Sequence, residues 1–302
     1  MTLPRFEYLA PETLQEACAL LMQHRGRAQA MNGGTDLLPR MKDREVTPEY
    51  IVGLKAIPGL NYVKHDKKVG LRIGGLATLK GVAENPAVKK GFPLLREAIL
   101  QMASPQIRNI GTVAGNLCNA APSADTAPAL IALGAMVKLL GADGQERTIP
   151  LEDFFVGPAQ TVLKEGELLE EIKVPDTPPL SGGAYLRLSL RRAVDLATVG
   201  VACLLTLDGK KVCREACIVL GSVAPTPLRA KEAESLLKGA RLREDILDKA
   251  AAAAMRVSKP RSFAEYRQQM VGVLTKRAVR QAWEKAAVVK GNVKSFMKKQ
   301  GR

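Results

Sequence analysis

Two glycines set directly after a short apolar run constrain this chain more than any other feature. Ala28–Met31 has the length of a strand, and Asn32-Gly33-Gly34-Thr35-Asp36 ends it abruptly. A glycine pair permits positive φ and lets backbone N–H groups approach a neighbour with no Cβ in between. Consecutive N–H groups in such a turn form a nest for an anion. Thr35 adds a hydroxyl donor, and Asp36 is placed to cap a turn through Leu38. The same residues also suit an ordinary tight turn, and alone they leave both readings open.

A second stretch has similar chemistry. Gly111, Thr112, Gly115, Asn116, Asn119, Ser123, Asp125 and Thr126 crowd a short segment that runs into an apolar helix at Asp125-Thr-Ala-Pro. Polar groups this dense are costly to bury unless each finds a partner. We read the segment as irregular, rich in small residues and ending at a helix N-terminus, which suits phosphates and a ribose. Asp125 is then a carboxylate for ribose hydroxyls. Together the two segments point to a dinucleotide held between them.

The rest of the chain supplies a scaffold of mixed type. Helical spacing appears at 11–24, with Thr13 or Pro11 as its start, and strands are expected at Ala28–Met31 and Tyr50–Leu54. Val69, Leu71 and Ile73 alternate as in a strand, Gly74-Gly75 breaks it, and Thr78 is a helix N-cap. A helix over Pro93–Met102 and strands over Met136–Leu140 and Leu168–Val174 follow, with a turn at Asp143-Gly144. Residues 176–182 read as a linker rich in Pro and Gly. Beyond it, a strand at Ala184–Leu190 and a hairpin of Thr198–Leu207 and Lys211–Gly221 turn at Asp208-Gly209. Helices over Ala230–Leu237, Glu244–Val257 and Ser262–Ala287 close the chain, the last with Phe263, Met270, Leu274 and Ala278 on one face. This third unit reads as a meander with helices on one side, an α+β layer.

Composition excludes several classes. Aromatic residues are 4% of the chain, so stacking surfaces for bases are scarce despite a net charge of +15, and no nucleic acid is expected. No apolar stretch is long enough to insert in a membrane; Ala127–Val137 is broken by Pro128 and Gly134. Five scattered cysteines suggest no disulfide framework and fit a reducing, cytoplasmic compartment. Cys213 and Cys217 are expected to share one face of a strand as core residues, and Cys118 to be buried, close to a cofactor if one binds there. With two histidines, His24 and His65, a histidine-based nucleophile or metal site is not expected. The Rossmann and P-loop glycine patterns are absent. The basic stretch 288–302 reads as a solvated tail or a docking element.

At this point the ordered motifs resemble one family. Asn32-Gly-Gly-Thr-Asp-Leu-Leu38, Arg108 to Ala120, Pro122 to Leu130, Tyr185 to Arg192, Asp195 to Val201 and Gly221 to Arg229 together resemble the FAD-binding medium subunit of molybdenum hydroxylases, the xanthine dehydrogenase and carbon monoxide dehydrogenase flavoprotein family. The resemblance covers about residues 3–285 and implies an α+β fold. A two-part FAD-binding domain of the vanillyl-alcohol-oxidase (PCMH) kind, at 1–56 and 57–176, precedes a C-terminal α+β domain at 177–288 and a tail at 289–302. It implies that Asn32, Gly33, Gly34, Thr35, Asp36 and Leu37 wrap the FAD pyrophosphate, and that Thr112, Val113, Ala114, Gly115 and Asn116 hold FAD as well. Ala114 stands where the family often has Gly, which is tolerable where φ stays negative. Asp125 matches the aspartate at the adenosine, Leu169 a leucine lining the flavin, and Arg187 a basic residue beside the isoalloxazine. A cation there favours the anionic reduced ring. Arg191 and Arg192 are expected to face a partner subunit.

The resemblance also implies partners. FAD carries the redox chemistry while the protein supplies position and electrostatics. Electrons are expected from [2Fe-2S] clusters on a small subunit, fed by a molybdenum-pterin site on a large subunit, and leave to NAD or another acceptor. No metal site is expected in this chain, and an inserted loop for a [4Fe-4S] cluster is not seen. The alternative is a free-standing FAD-dependent reductase of the same FAD-binding fold, which would need its own acid or base in the third unit.

Overall fold

The structure, a computed structural model, describes residues 2–191 and 195–288. Arg192 and the basic tail at 289–302 lie outside the described residues. The chain divides into two compact units, the first made of residues 1–90, 103–121 and 134–176, the second of 91–102, 122–133 and the chain from 177 onward.

The first unit holds two main sheets. One is parallel, with Tyr50–Gly53 between Glu7–Leu9 and Ala28–Met31. Ile51 and Val52 are both fully buried, as a central parallel strand covered on both faces requires. The helix Leu14–Gln23 makes one crossover, and Thr13 caps it by accepting from the Glu16 N–H. The other sheet is antiparallel, in the order Val63–Asp66, Gly70–Gly74, Leu168–Val174, Met136–Leu140, Glu146–Pro150. Ala17, Cys18, Val52, Leu54, Leu76, Leu140 and Leu168 form one apolar cluster that joins residues of both sheets. A bulge interrupts Leu168–Val174 between Leu169 and Glu171.

The second unit is built on a four-stranded antiparallel meander of Ser181–Leu188, Val199–Leu207, Cys213–Gly221 and Leu228–Arg229. Strand structure begins at Ser181, so the expected linker is shorter than 176–182. Asp208 Oδ1 accepts from the N–H groups of Lys210 and Val212 and fixes the hairpin turn. Along Ser181–Leu188 successive side chains alternate between faces. Ala184 packs into a core with Val199, Cys203, Leu205 and the helices Lys231–Leu237, Glu244–Val257 and Ala264–Val288. On the opposite face, Gly183 lies so close to Leu94 that an added Cβ would sit 3.0 Å from it, and Gly221 is as close to Pro128. Helices Pro93–Gln101 and Thr126–Ala132 therefore cover the second face, whereas the sequence pattern led us to expect helices on one side only. They come from earlier in the chain, which local periodicity does not register.

Two expectations about side-chain direction fail. Phe263 is 80% exposed and left-handed (φ 49°), just before the helix begins at Ala264, so it does not share the buried face of Leu274 and Ala278. Cys213 and Cys217 do not share a face. The register shifts so that Thr206 pairs with Glu215 but Leu207 with Cys213. The extra residue, Arg214, turns Cys213 into the core of Ile218 and Leu220, while Cys217 falls on the other side of the pleat.

Candidate functional site

The strand Ala28–Met31 delivers Asn32 and the glycine pair to one corner of the first unit. Gly33 packs so tightly that a Cβ would sit 2.3 Å from the carbonyl oxygen of Ile110. Gly34 is left-handed at φ +67°, a conformation glycine adopts without strain. Leu38 N–H donates to Gly34 O and starts the short helix Leu37–Lys42. Asp36 makes no cap bond to it, contrary to expectation; its Oδ1 accepts from Asn119 Nδ2 at 3.1 Å. The competing acceptor role is taken because Asp36 is itself helical in backbone (φ −104°, ψ −43°), not extended as a capping residue is. Among the described residues, the backbone N–H groups of Gly33, Gly34, Thr35 and Asp36 donate to no protein acceptor.

The segment at 105–119 is helical rather than irregular. Pro105–Ile110 and Val113–Asn119 are two short helices joined at Gly111-Thr112. Ser104 and Thr112 cap them, the latter accepting from Gly115 N–H at 3.0 Å. Gly115, Asn116 and Asn119 have weak helix propensity, so caps and burial hold these turns, which hid them from a propensity reading. Ala114 is buried within the helix and has no positive φ, so its methyl is accommodated. A Cβ on Gly115 would lie 2.8 Å from Thr112 Oγ1 and crowd the cap. Val113 is fully buried, Asn116 half-buried. Cys118 lies on the same helix, and burial pushes its thiol up to about 12, so it remains protonated at neutral pH.

A third segment, which the sequence reading took only as a strand break, ties these two together. Asn32 Nδ2 donates to Gly75 O at 3.0 Å and to Thr112 Oγ1 at 3.1 Å. Gly75 N–H donates to Glu170 O in the bulge of Leu168–Val174, at 2.7 Å. An added Cβ on Gly75 would meet Leu169 O at 2.7 Å, so glycine is needed for this approach. Leu79 N–H to Gly111 O and Val113 N–H to Ala77 O complete the seam. The second glycine pair, Gly74-Gly75, was the visible signal. Leu169 itself is buried opposite Leu139. Asn32 Oδ1 is buried and has no hydrogen-bond partner.

The corner thus presents free backbone donors, a left-handed glycine and an orphaned acceptor. The row of donors fits the diphosphate of a dinucleotide such as FAD. The Asn32 side chain is engaged within the protein, its Nδ2 holding Gly75 O and Thr112 Oγ1.

Asp125 and Arg187 belong to the second unit, and there they pair with each other. Arg187 is no surface cation: its side chain is 4% exposed, and its Nε lies 3.1 Å from Asp125 Oδ1. Its Nη1 donates to Gln101 O at 2.8 Å, and Nη2 to Asp195 O. Tyr185, two residues back on the same face of the strand, donates its hydroxyl to Asp125 Oδ1 at 2.6 Å. Burial raises the Asp125 carboxyl above its ordinary range, while the Tyr185 hydrogen bond and the Arg187 charge oppose the rise. Burial likewise raises the Tyr185 phenol well above 10, reinforced by the Asp125 charge and hydrogen bond. Tyr185 was not expected as a site residue, although its spacing from Arg187 was a usable signal. Arg191 is exposed and pairs with Asp195.

Comparison with known proteins gives consistent results along the chain. Residues 4–177 match the family described as the FAD binding domain in molybdopterin dehydrogenase, and residues 184–282 match the CO dehydrogenase flavoprotein C-terminal domain. The chain is 36% identical to the carbon monoxide dehydrogenase medium chain of Hydrogenophaga pseudoflava, over 94% of this chain and 99% of that one. It is 30% identical to a putative xanthine dehydrogenase FAD-binding subunit of Escherichia coli K12, over 91% and 95%. The solved carbon monoxide dehydrogenase of H. pseudoflava, in a form lacking the Mo-pyranopterin moiety, superposes with a TM-score of 0.90 over 94% of this chain and 99% of that one. Quinoline 2-oxidoreductase of Pseudomonas putida 86 does so with 0.88 at 29% identity, over 95% and 99%.

Proposed function

The chain belongs to the family of FAD-binding subunits of molybdopterin dehydrogenases, and from that premise we propose that it is the FAD-carrying electron-transfer subunit of a heteromeric molybdenum hydroxylase in the cytoplasm. The observation that carries the proposal is the row of four unpaired N–H groups at Gly33–Asp36, beside the orphaned Asn32 Oδ1. Successive N–H groups that no protein acceptor takes, on a half-buried turn, form a nest suited to an anion.

FAD, when bound, supplies the redox chemistry, taking electrons singly and releasing them in pairs. In this reading Gly33, Gly34, Thr35 and Asp36 hold the diphosphate through backbone N–H groups. Leu37 and the helix of Val113, Ala114, Gly115 and Asn116, capped by Thr112, pack around the cofactor, and Leu169 lines the ring. Both protein contacts of Asp125 fall on Oδ1, which leaves Oδ2 for the adenosine ribose. Arg187 lies 3.1 Å from Asp125, so the pair acts at one end of the cofactor, and Arg187 does not tune the ring while Asp125 holds the adenosine ribose.

Electrons would come from a small subunit with [2Fe-2S] clusters, supplied by a large molybdopterin subunit, and pass to NAD or another acceptor. The experiment is purification of the chain from its native host with its associated subunits. Flavin absorbance, iron and molybdenum in one complex are expected. A colourless chain that takes up no FAD on titration and purifies alone would overturn the proposal.

A further inference from the structure

Charge is divided unequally between the two units. The first carries 19 Lys and Arg against 18 Asp and Glu, the second 26 against 12, so nearly all of the +15 net charge belongs to the second. Five of those 26 cations lie in the basic stretch 289–302. On the helices of the second unit, exposed cations meet acids. Arg256 pairs with Glu232, Lys276 with Glu244 and Asp248, and Arg280 with Glu244. At one end of the sheet they do not. Lys210 and Lys211 stand on the hairpin turn, Arg214 on the bulge after it, and Lys238 and Arg241 on the turn between Lys231–Leu237 and Glu244–Val257. The two turns form one surface, because Gly239 N–H donates to Cys213 O and Cys213 N–H to Ala240 O. All five cations are exposed, and none forms an ion pair among the described residues. Asp208 and Glu215 are the acids of these two turns. Asp208 feels the charges of Lys210 and Arg241, and its Oδ1 already accepts the N–H groups of Lys210 and Val212. Like charges gathered in this way repel one another and suit an anionic partner.

We propose that this patch docks an acidic face of a partner subunit. The inference rests on the heteromeric reading above and deepens it by naming the surface and the chemistry of one contact. A protein partner is favoured because residues 208–215 and 238–243 hold no aromatic ring on which bases stack and no exposed large apolar side chain to enter a lipid surface. The patch also stands apart from the cofactor residues of its own unit. Arg187 pairs with Gly200, and Leu207, beside the hairpin turn, lies roughly 23 Å further along the same strand. It therefore serves assembly, and its loss leaves FAD binding intact.

The test compares complexes purified from the native host through wild type and through a chain combining Lys210→Glu, Lys211→Glu and Arg241→Glu. Both are run on gel filtration at rising salt, with flavin measured per chain. Exposed charge pairs are screened by salt. The triple variant is expected to leave the complex at several-fold lower salt than wild type, or to purify alone, with wild-type flavin content. Separation of both proteins at the same salt overturns the inference. Where the triple variant loses flavin as well, Lys210→Gln combined with Lys211→Gln, which adds no acid, decides by the same comparison. Binding of duplex DNA or phosphatidylserine vesicles by wild type and not by the variant, with assembly equal in both, assigns the patch to another ligand and overturns the inference. A wild-type chain that purifies alone but carries FAD overturns it and leaves the FAD reading standing. One that purifies alone and takes up no FAD brings down both.

Discussion

The glycine-bounded corner of the first unit and the Asp125 cluster of the second are both dense in polar groups, and they dispose of their hydrogen bonds in opposite ways. Around Asp125 most hydrogen bonds are spent within the protein. Tyr185 donates to Asp125 Oδ1, the Gln101 and Asp195 carbonyls take the two Nη groups of Arg187, and Gln101 donates to Tyr185 O, while Arg187 Nε, 3.1 Å from Asp125 Oδ1, is held by charge alone. At Gly33–Asp36 four donors stay open and one acceptor is orphaned. Hydrogen bonds spent within the protein stabilise and specify a fold, whereas open donors on a half-buried turn are available to a ligand. The contrast predicts that damage to the Asp125 cluster appears first as lost stability, and damage to the glycine corner first as lost cofactor.

The largest stability effect should follow from breaking the Asp125 network. Asp125→Ala leaves the Arg187 guanidinium buried without its counter-charge and should cost about 3–5 kcal/mol in denaturant unfolding of the chain. A cost below about 1 kcal/mol would mean that water reaches Arg187.

Thr112→Val comes next. It removes the cap of Val113–Asn119 and one of the two anchors of Asn32, and should cost about 1–2 kcal/mol of stability. FAD affinity should fall as well, and Thr112→Ser should restore both. Rescue of stability without rescue of FAD affinity would separate the cap from the site.

The smallest effect is a pH dependence. Burial holds the Asp125 carboxyl above its ordinary value of 3.8. A folded-state pKa above the unfolded one gives a contribution that is complete below the unfolded pKa and is lost as pH rises through the folded value. Asp125→Asn, which cannot ionise, should therefore lack the loss of stability that wild type shows as pH rises above 3.8. Parallel stability profiles for the two proteins across that window would contradict the assigned burial.

Much of this architecture was legible because its signals are local. Ala28–Met31, Met136–Leu140, Leu168–Val174 and Glu244–Val257 lie where alternation, helical spacing and Pro175 put them. Thr13 and Thr78 cap the helices they precede. The strands Glu7–Leu9 and Val63–Asp66 went unseen, because they are short and lie at sheet edges, where side chains need not alternate. The bulge at Arg214 reversed Cys213, since a register shift is set by the partner strand and not by the residue itself. In the site, the glycine loop was visible from backbone chemistry, but its link through Gly75 was not. That link depends on how two distant glycine pairs meet in the fold. The partnership of Asp125 with Tyr185 and Arg187 is equally non-local, joining residues about sixty positions apart.

The central claim is that the backbone of the glycine loop, not a side-chain network, receives the cofactor. Gly34→Val tests it most directly. Valine at φ +67° costs about 1–3 kcal/mol of backbone strain, and the atoms nearest its Cβ are side-chain atoms of Leu38 and Met31, not backbone. The chain should therefore keep a cooperative unfolding transition while titration with FAD shows no saturable binding. Stoichiometric FAD uptake by Gly34→Val, with affinity equal to wild type, would show that the loop's open donors are not where the cofactor is held.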